Sequence, residues 1–348
     1  MFFFIGFPAV IYAGPDEEQI LQWNEPLDKA DLLLFSSHAD DEHLFFAGIL
    51  PYCAANGITA QVVYMTNHND NPIRNTELLN GLWAVGIRNY PVISIFPDLF
   101  SESLEDALRV YKNRGFSEDD FTAFCVSNVR RFKPQVAVGH DINGEYGHGT
   151  HRLSAAALMK AVVFAGDSNY HSESFAEYGV WDTPKTYLHL WNDRPIVLSI
   201  NEPLSFFDGK TAFQVSQYGF SYHKSQHWTW FNRWLNGTAQ VPITSSTQIR
   251  SYSPGKFGLY RTLVGDDSQD VVDFFENVTL IKDIIKETPS ASQLQGEAAE
   301  AANGDAAGFG EQEIIKFRQQ YLKLITIAIF IVITAALIIF LIKKLKRK

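Results

Sequence analysis

Two short clusters carry the residue types of metal and acid–base chemistry. The first is Ser37-His38-Ala39-Asp40-Asp41-Glu42. The second begins at His140-Asp141 and runs through Glu145, Tyr146 and His148 to His151. One histidine, several carboxylates and a further histidine pair can converge on a single ion if the fold brings them together. Imidazole and carboxylate donors suit zinc, and three protein ligands leave one position open for water, as in a catalytic site. Two adjacent aspartates cannot easily bind one ion in the same way, so a division into one ligand and one base is chemically natural. Each cluster alone has a plainer reading, as acids favoured by a helix dipole or as a surface turn. The case for shared chemistry therefore depends on which elements carry them.

Those elements alternate. Residues 31–37 form a short apolar run, as expected of a strand buried on both faces. Helical spacing follows over 42–56 and stops at Asn56-Gly57. The pattern then predicts a strand at 59–66, a helix at 75–85 and a strand at 92–96. A capping signature at Ser117-Glu118-Asp119-Asp120 opens a helix running to about Phe132. A fourth strand at 134–139 and a helix at 152–164 follow, with strands at 186–191 and 196–200 and partial helix within 212–235. This βαβαβ order predicts an α/β, Rossmann-like fold. Its sheet is largely parallel with helices on both faces, and ligands bind at the carboxyl ends of the strands. Both clusters directly follow predicted strands. A Rossmann-type nucleotide binder is excluded, because no glycine-rich phosphate loop follows the first strand.

The bulk composition narrows the partners. With 46% hydrophobic and 14% aromatic residues, the 348-residue chain can build a substantial core. Five of its 29 basic residues lie in the last six positions, leaving residues 1–342 with 24 basic against 39 acidic residues. Such a body repels a phosphate backbone, which argues against nucleic acid. Cys53 and Cys125 lie in apolar helical contexts and read as buried small hydrophobes. Residues 324–342 carry no charge and are followed by a basic tail, 343–348, so a transmembrane helix is expected over 323–342. Residues 1–14 read as a signal peptide, 15–287 as the catalytic domain and 288–322 as a flexible stalk. Together these predict a single-pass membrane protein with a lumenal or extracytoplasmic body and a cytoplasmic tail. Two glycosylation sequons, at Asn236 and Asn277, and the KxKxx-like tail fit the endoplasmic reticulum if the source is eukaryotic. Oligomeric state is not readable.

The two clusters resemble the PIG-L/LmbE-like family of zinc-dependent N-acetylglucosaminyl de-N-acetylases, whose first motif reads His-Pro-Asp-Asp-Glu. The likeness covers about residues 30–165. It extends to Arg74-Asn75-Thr76-Glu77, to Phe96-Pro97-Asp98, and as a weaker echo to Tyr222-His223-Lys224-Ser225-Gln226. The resemblance implies that His38, Asp41 and His151 bind zinc or another divalent metal, with Asp40 the general base. It implies that His148, with Tyr146, stabilises the oxyanion or helps protonate the leaving amine, and that Arg74 and Asp98 bind sugar hydroxyls. Ala39 stands where the family has proline, and Thr150 where many members have aspartate, which puts the orientation of His148 in question. The implied activity is removal of the N-acetyl group from an N-acetylglucosamine-type conjugate or glycolipid. Two alternatives are the N-acetylglucosaminyl-phosphatidylinositol de-N-acetylase reaction and an inactive, membrane-tethered glycan binder. His68, His171 and His189 have no partner spacing and read as structural. The aromatic stretch from His227 to Trp234 reads first as core packing, with a sugar-stacking wall or a membrane-facing rim as the alternatives.

Overall fold

The computed structural model describes residues 23–227 and 243–287. Strand β1 (Leu32–Ser36) is followed by two short helices, α1 (Asp41–Leu44) and α2 (Ile49–Ala55), then by β2 (Ala60–Tyr64), α3 (Ile73–Ala84) and β3 (Val92–Ile93). Helices α4 (Leu104–Lys112) and α5 (Glu118–Phe132) lead to β4 (Val136–Gly139), α6 (Gly149–Phe164), α7 (Ser172–Tyr178) and β5 (Lys185–His189). Strand β6 (Pro195–Val197), the small hairpin β7 (Pro203–Leu204) and β8 (Lys210–Thr211), α8 (Ala212–Phe220), β9 (Lys256–Thr262) and α9 (Ile281–Glu287) complete the order.

The main sheet runs β3-β2-β1-β4-β5-β9-β6. The first five strands are mutually parallel, and β9 joins antiparallel to both β5 and β6. Alternation along β1 sorts the core onto two faces. Leu32 and Leu34 join a cluster with Leu50, Leu78, Leu82, Phe213 and Phe220, from α2, α3 and α8. Leu33 and Phe35 join Tyr111, Phe121, Val129, Leu153 and Leu158, from α4, α5 and α6. The expected doubly covered α/β sheet is therefore present, as a mixed sheet that is mostly parallel. Its order reverses between β1 and β4, and the crevice at such a reversal, outside the strands' carboxyl ends, is where open α/β sheets bind ligands.

Several expectations need correction. The single helix expected over 42–56 is two helices, because Gly48 takes φ +92° and a Cβ there would lie 2.7 Å from Ile200. Strand β9 and helix α4 had no counterpart in the sequence reading. The expected fold class also included a C-terminal transmembrane helix, yet among the described residues no helix is long and apolar enough to cross a membrane. The single-pass membrane localisation built on that helix is corrected with it. The stretches assigned to the signal peptide (1–14), stalk (288–322), membrane helix (323–342) and basic tail (343–348) lie outside the described residues, as do 228–234 of the aromatic stretch. Both cysteines are buried and free, as expected.

Candidate functional site

The first cluster leaves the sheet where β1 ends, and the second leaves it where the adjacent parallel strand β4 ends. Ser37 ties the two exits together. Its N–H donates to His140 Nε2 at 2.9 Å, and its hydroxyl meets that of Ser154 on α6 at 2.7 Å. A backbone N–H can only donate, so His140 Nε2 is an acceptor, and the ring proton lies on Nδ1, 2.8 Å from Glu145 Oε2. With its Nε2 lone pair engaged, His140 buttresses the site and is not free to serve as a ligand.

Three donors meet in front of that buttress. His38 Nδ1 lies 3.1 Å from Asp41 Oδ2 and 3.0 Å from His151 Nε2, and His151 Nε2 lies 3.3 Å from the same carboxylate oxygen. Nitrogen and oxygen donors placed tetrahedrally about 2.0–2.1 Å from a zinc ion are about 3.3–3.4 Å apart, close to this triangle. All three side chains are buried. Burial alone lowers the imidazole pKa values, but Asp98 and Asp41 lift His38 to about 10, and Asp41 with Glu145 lifts His151 to about 9. Two imidazole nitrogens that face each other at 3.0 Å, in a field that favours cations, fit a divalent ion better than two protons. Glu145 Oε2, 2.7 Å from His151 Nδ1, turns the other ring nitrogen toward the triangle, as carboxylates behind metal-binding histidines do.

Asp40 stands beside the triangle on strained backbone, at φ 137° and ψ −25°. A non-glycine residue so placed costs about 1–3 kcal/mol, and such strain tends to gather at functional sites. Its N–H donates to Glu42 Oε2 at 2.9 Å. Burial lifts its carboxyl to about 7 against the pull of the Arg74 guanidinium, whose Nη2 is 3.4 Å away. Arg74 also donates to the Ala39 carbonyl at 2.7 Å and to Asp98 Oδ2 at 3.1 Å. Asp98 in turn faces His38 Nε2 and His68 Nδ1, each at 3.3 Å. Burial raises the Asp98 carboxyl, yet these two rings hold it far below the usual range. Arg74 and Asp98 are thus built into the frame around His38 and Asp40.

His148 caps α6. Its Nδ1 accepts the Thr150 N–H at 3.2 Å, so the neutral ring carries its proton on Nε2. Burial, followed by the neighbouring His38 and His151, pushes its pKa down to about 2, so the ring is a neutral donor across the physiological range. The backbone of residue 150 supplies this bond, so threonine in place of aspartate leaves the ring held. The Tyr146 ring lies 5.5 Å from those of both His148 and His151, on a residue with φ 46°. Its ring is exposed at the rim, while desolvation of the phenol against the site, then Asp41 and Asp40, keeps it protonated. Exposed Phe100 packs edge-on to His148 at 5.6 Å, at the rim.

All eight residues singled out from the sequence therefore gather at the carboxyl ends of β1 and β4 and the loops beside them. Sequence reasoning gave Glu145 no role, whereas it read His68 and His189 as structural, as their contacts bear out. Glu145 gathers His140, His151 and His189, the last through Nδ1 at 2.6 Å. His68 Nε2 accepts the Ala39 N–H at 3.0 Å. The available signal was position, since His68 and His189 lie at the carboxyl ends of β2 and β5.

Residues 33–162 match the family model described as PIG-L: GlcNAc-PI de-N-acetylase. The chain is 27% identical over 186 residues to a 1D-myo-inositol 2-acetamido-2-deoxy-alpha-D-glucopyranoside deacetylase of Catenulispora acidiphila, covering 47% of this chain and 56% of the relative. A protein of the same description from Geodermatophilus obscurus is 28% identical over 183 residues, covering 45% of this chain and 60% of the relative. The alignments thus span a little over half the length of these curated relatives. Among solved structures, an N,N'-diacetylchitobiose deacetylase of Pyrococcus horikoshii covers 76% of this chain and 94% of its own at 15% identity. Its TM-score is 0.43, a likeness too distant to bear on function.

Proposed function

We propose that this chain, whose residues 33–162 match the PIG-L family, is a zinc-dependent hydrolase that removes the N-acetyl group from an N-acetylglucosamine-type conjugate. The observation that carries the reading is the triangle of His38 Nδ1, Asp41 Oδ2 and His151 Nε2, with Asp40 beside it and a neutral His148 in front. His38, Asp41 and His151 would hold a divalent ion, which would polarise the amide carbonyl and lower the pKa of a bound water. Asp40, ionised beside that ion, would accept the proton of the attacking water. His148 donates its Nε2–H to the oxygen on which negative charge develops, and Tyr146 offers a second donor on the same side. Asp40 then returns its proton to the leaving amine. Asp98 and Arg74 hold His38 and Asp40 in register, and their solvent-facing atoms are available to sugar hydroxyls. The aromatic rim of Phe100 and Tyr146 suits the apolar face of a pyranose. A pure glycan binder has no use for a strained carboxylate set beside a ligand triangle.

The test is metal content together with amine release from N-acetylglucosaminyl conjugates. Protein purified with one zinc in this triangle should release amine. Asp40→Ala should keep the metal and lose about 10²–10⁴-fold in kcat. Metal retained with no turnover by wild type on any conjugate would point to a binder, and a triangle that takes no metal would remove the reading altogether.

A further inference from the structure

A second cluster of metal-ligating groups lies on the inner side of the first motif. Asp41 turns toward the triangle, whereas Glu42 and His43, the next residues of α1, turn inward toward α3 and the end of α8. There Glu42 Oε1 lies 3.1 Å from His223 Nε2 and 3.5 Å from His43 Nε2. One donor atom from each of the three side chains lies within 4.8 Å of the others, and all three side chains are fully buried. Apart from the 3.1 Å ion-pair approach of Glu42 Oε1 to His223 Nε2, Glu42 Oε1 and both ring nitrogens of His43 and of His223 have no hydrogen-bond partner. Native interiors seldom leave buried polar atoms unsatisfied, and five in one place call for an explanation.

The surrounding backbone makes room for one. Helix α3 passes the cluster at Gly81, where a Cβ would sit 2.8 Å from both His43 Nε2 and His223 Nε2. Helix α8 passes it at Gly219, where a Cβ would sit 2.5 Å from His43 Cε1. Two helices thus present glycine where any side chain would fill the space between the donors. His223 is fixed from behind, because Ser225 donates to Glu77 of α3 through its N–H at 2.8 Å and its hydroxyl at 2.5 Å. The buried hydroxyl of Tyr64 borders Glu42 as a further oxygen.

We propose that Glu42, His43 and His223 form a second, interior site for a divalent transition metal of the zinc type. One carboxylate and two imidazoles are a donor set for such an ion. Complete burial gives substrate no access, so the site is structural. Its ion fastens α1 to the end of α8. It also fixes Glu42, whose other oxygen holds the N–H of Asp40, so it steadies the strained backbone of the base.

The test counts metal on the full chain. Cobalt(II), whose visible d–d bands report nitrogen and oxygen coordination, is titrated into chelator-stripped protein. Deleting the outer triangle with His38→Ala and His151→Ala leaves the interior cluster untouched, and that protein is expected to bind one equivalent. Adding His43→Gln to the same background is expected to abolish the remaining binding. No cobalt bound by the outer-site variant would overturn the proposal, as would full retention after His43→Gln. The first arm needs no interior substitution, so it decides the matter even if His43→Gln fails to fold. It is also independent of the hydrolase reading, because it is read without the outer site.

Discussion

The Thr150 N–H on His148 Nδ1 decides what that ring can do, because it fixes the neutral tautomer with Nε2–H outward. A ring whose pKa is pushed down to about 2 holds no second proton to give an amine at neutral pH, and its Nε2–H is a sound hydrogen-bond donor to an oxyanion. His148→Ala should therefore lower kcat by about 10²–10³-fold with metal content unchanged. Asp40 sets the other limit. As a base it works only when ionised, so kcat/KM should fall on an acid limb that lies below about 7, the value burial gives Asp40 in the metal-free chain. A cation in the neighbouring triangle displaces that limb to lower pH, never higher. A pH profile in which the acid limb survives in Asp40→Ala would reassign the base. These residues were legible in the sequence because Asp40, Asp41, His148 and His151 sit in compact motifs. Glu145 was quoted within its motif but its role was not, since one of its partners, His189, arrives 44 positions later.

At the scale of elements, local signals translated well and tertiary ones did not. The capping signature at Ser117 is realised in full. Ser117 Oγ accepts the Asp120 N–H at 3.2 Å, and the Asp120 carboxylate accepts the Ser117 N–H at 2.6 Å. Ser117→Ala should cost about 1 kcal/mol in a denaturation experiment. It should leave metal content and kcat unchanged, since α5 contributes no residue to the site. A loss of activity larger than the loss of stability would mean that α5 communicates with the site. Strand β9 was invisible from sequence for the opposite reason. It inserts between β5 and β6 only through pairings made about 60–80 residues away along the chain. The break at Gly48 was hidden likewise, because the group that forbids a side chain there, Ile200, comes from a distant segment.

For the molecule as a whole, the triangle joins the two halves of the sheet across the reversal of strand order. His38 and Asp41 follow β1, and His151 stands on α6 after β4. A ligand that binds only the folded chain stabilises it by about 2.7 kcal/mol at a hundred times its Kd, so zinc should raise Tm and a chelator lower it. The pH dependence of that difference follows from the two histidines. In the metal-free protein the carboxylates raise both imidazoles above the ordinary 6.5, toward about 10 for His38 and about 9 for His151, with the two facing nitrogens sharing one proton between them. A raised pKa contributes stability that is complete below the unfolded value and is lost as pH climbs through the folded one. The chelated protein should accordingly lose stability between pH about 6.5 and about 10. Over the same range protons compete less for the ligand nitrogens, so metal binding strengthens. The gap in Tm between zinc-loaded and chelated protein should widen from pH about 6.5 to about 9. A gap that stays level or narrows over that interval would mean that His38 and His151 do not hold the ion, and would move the metal site elsewhere.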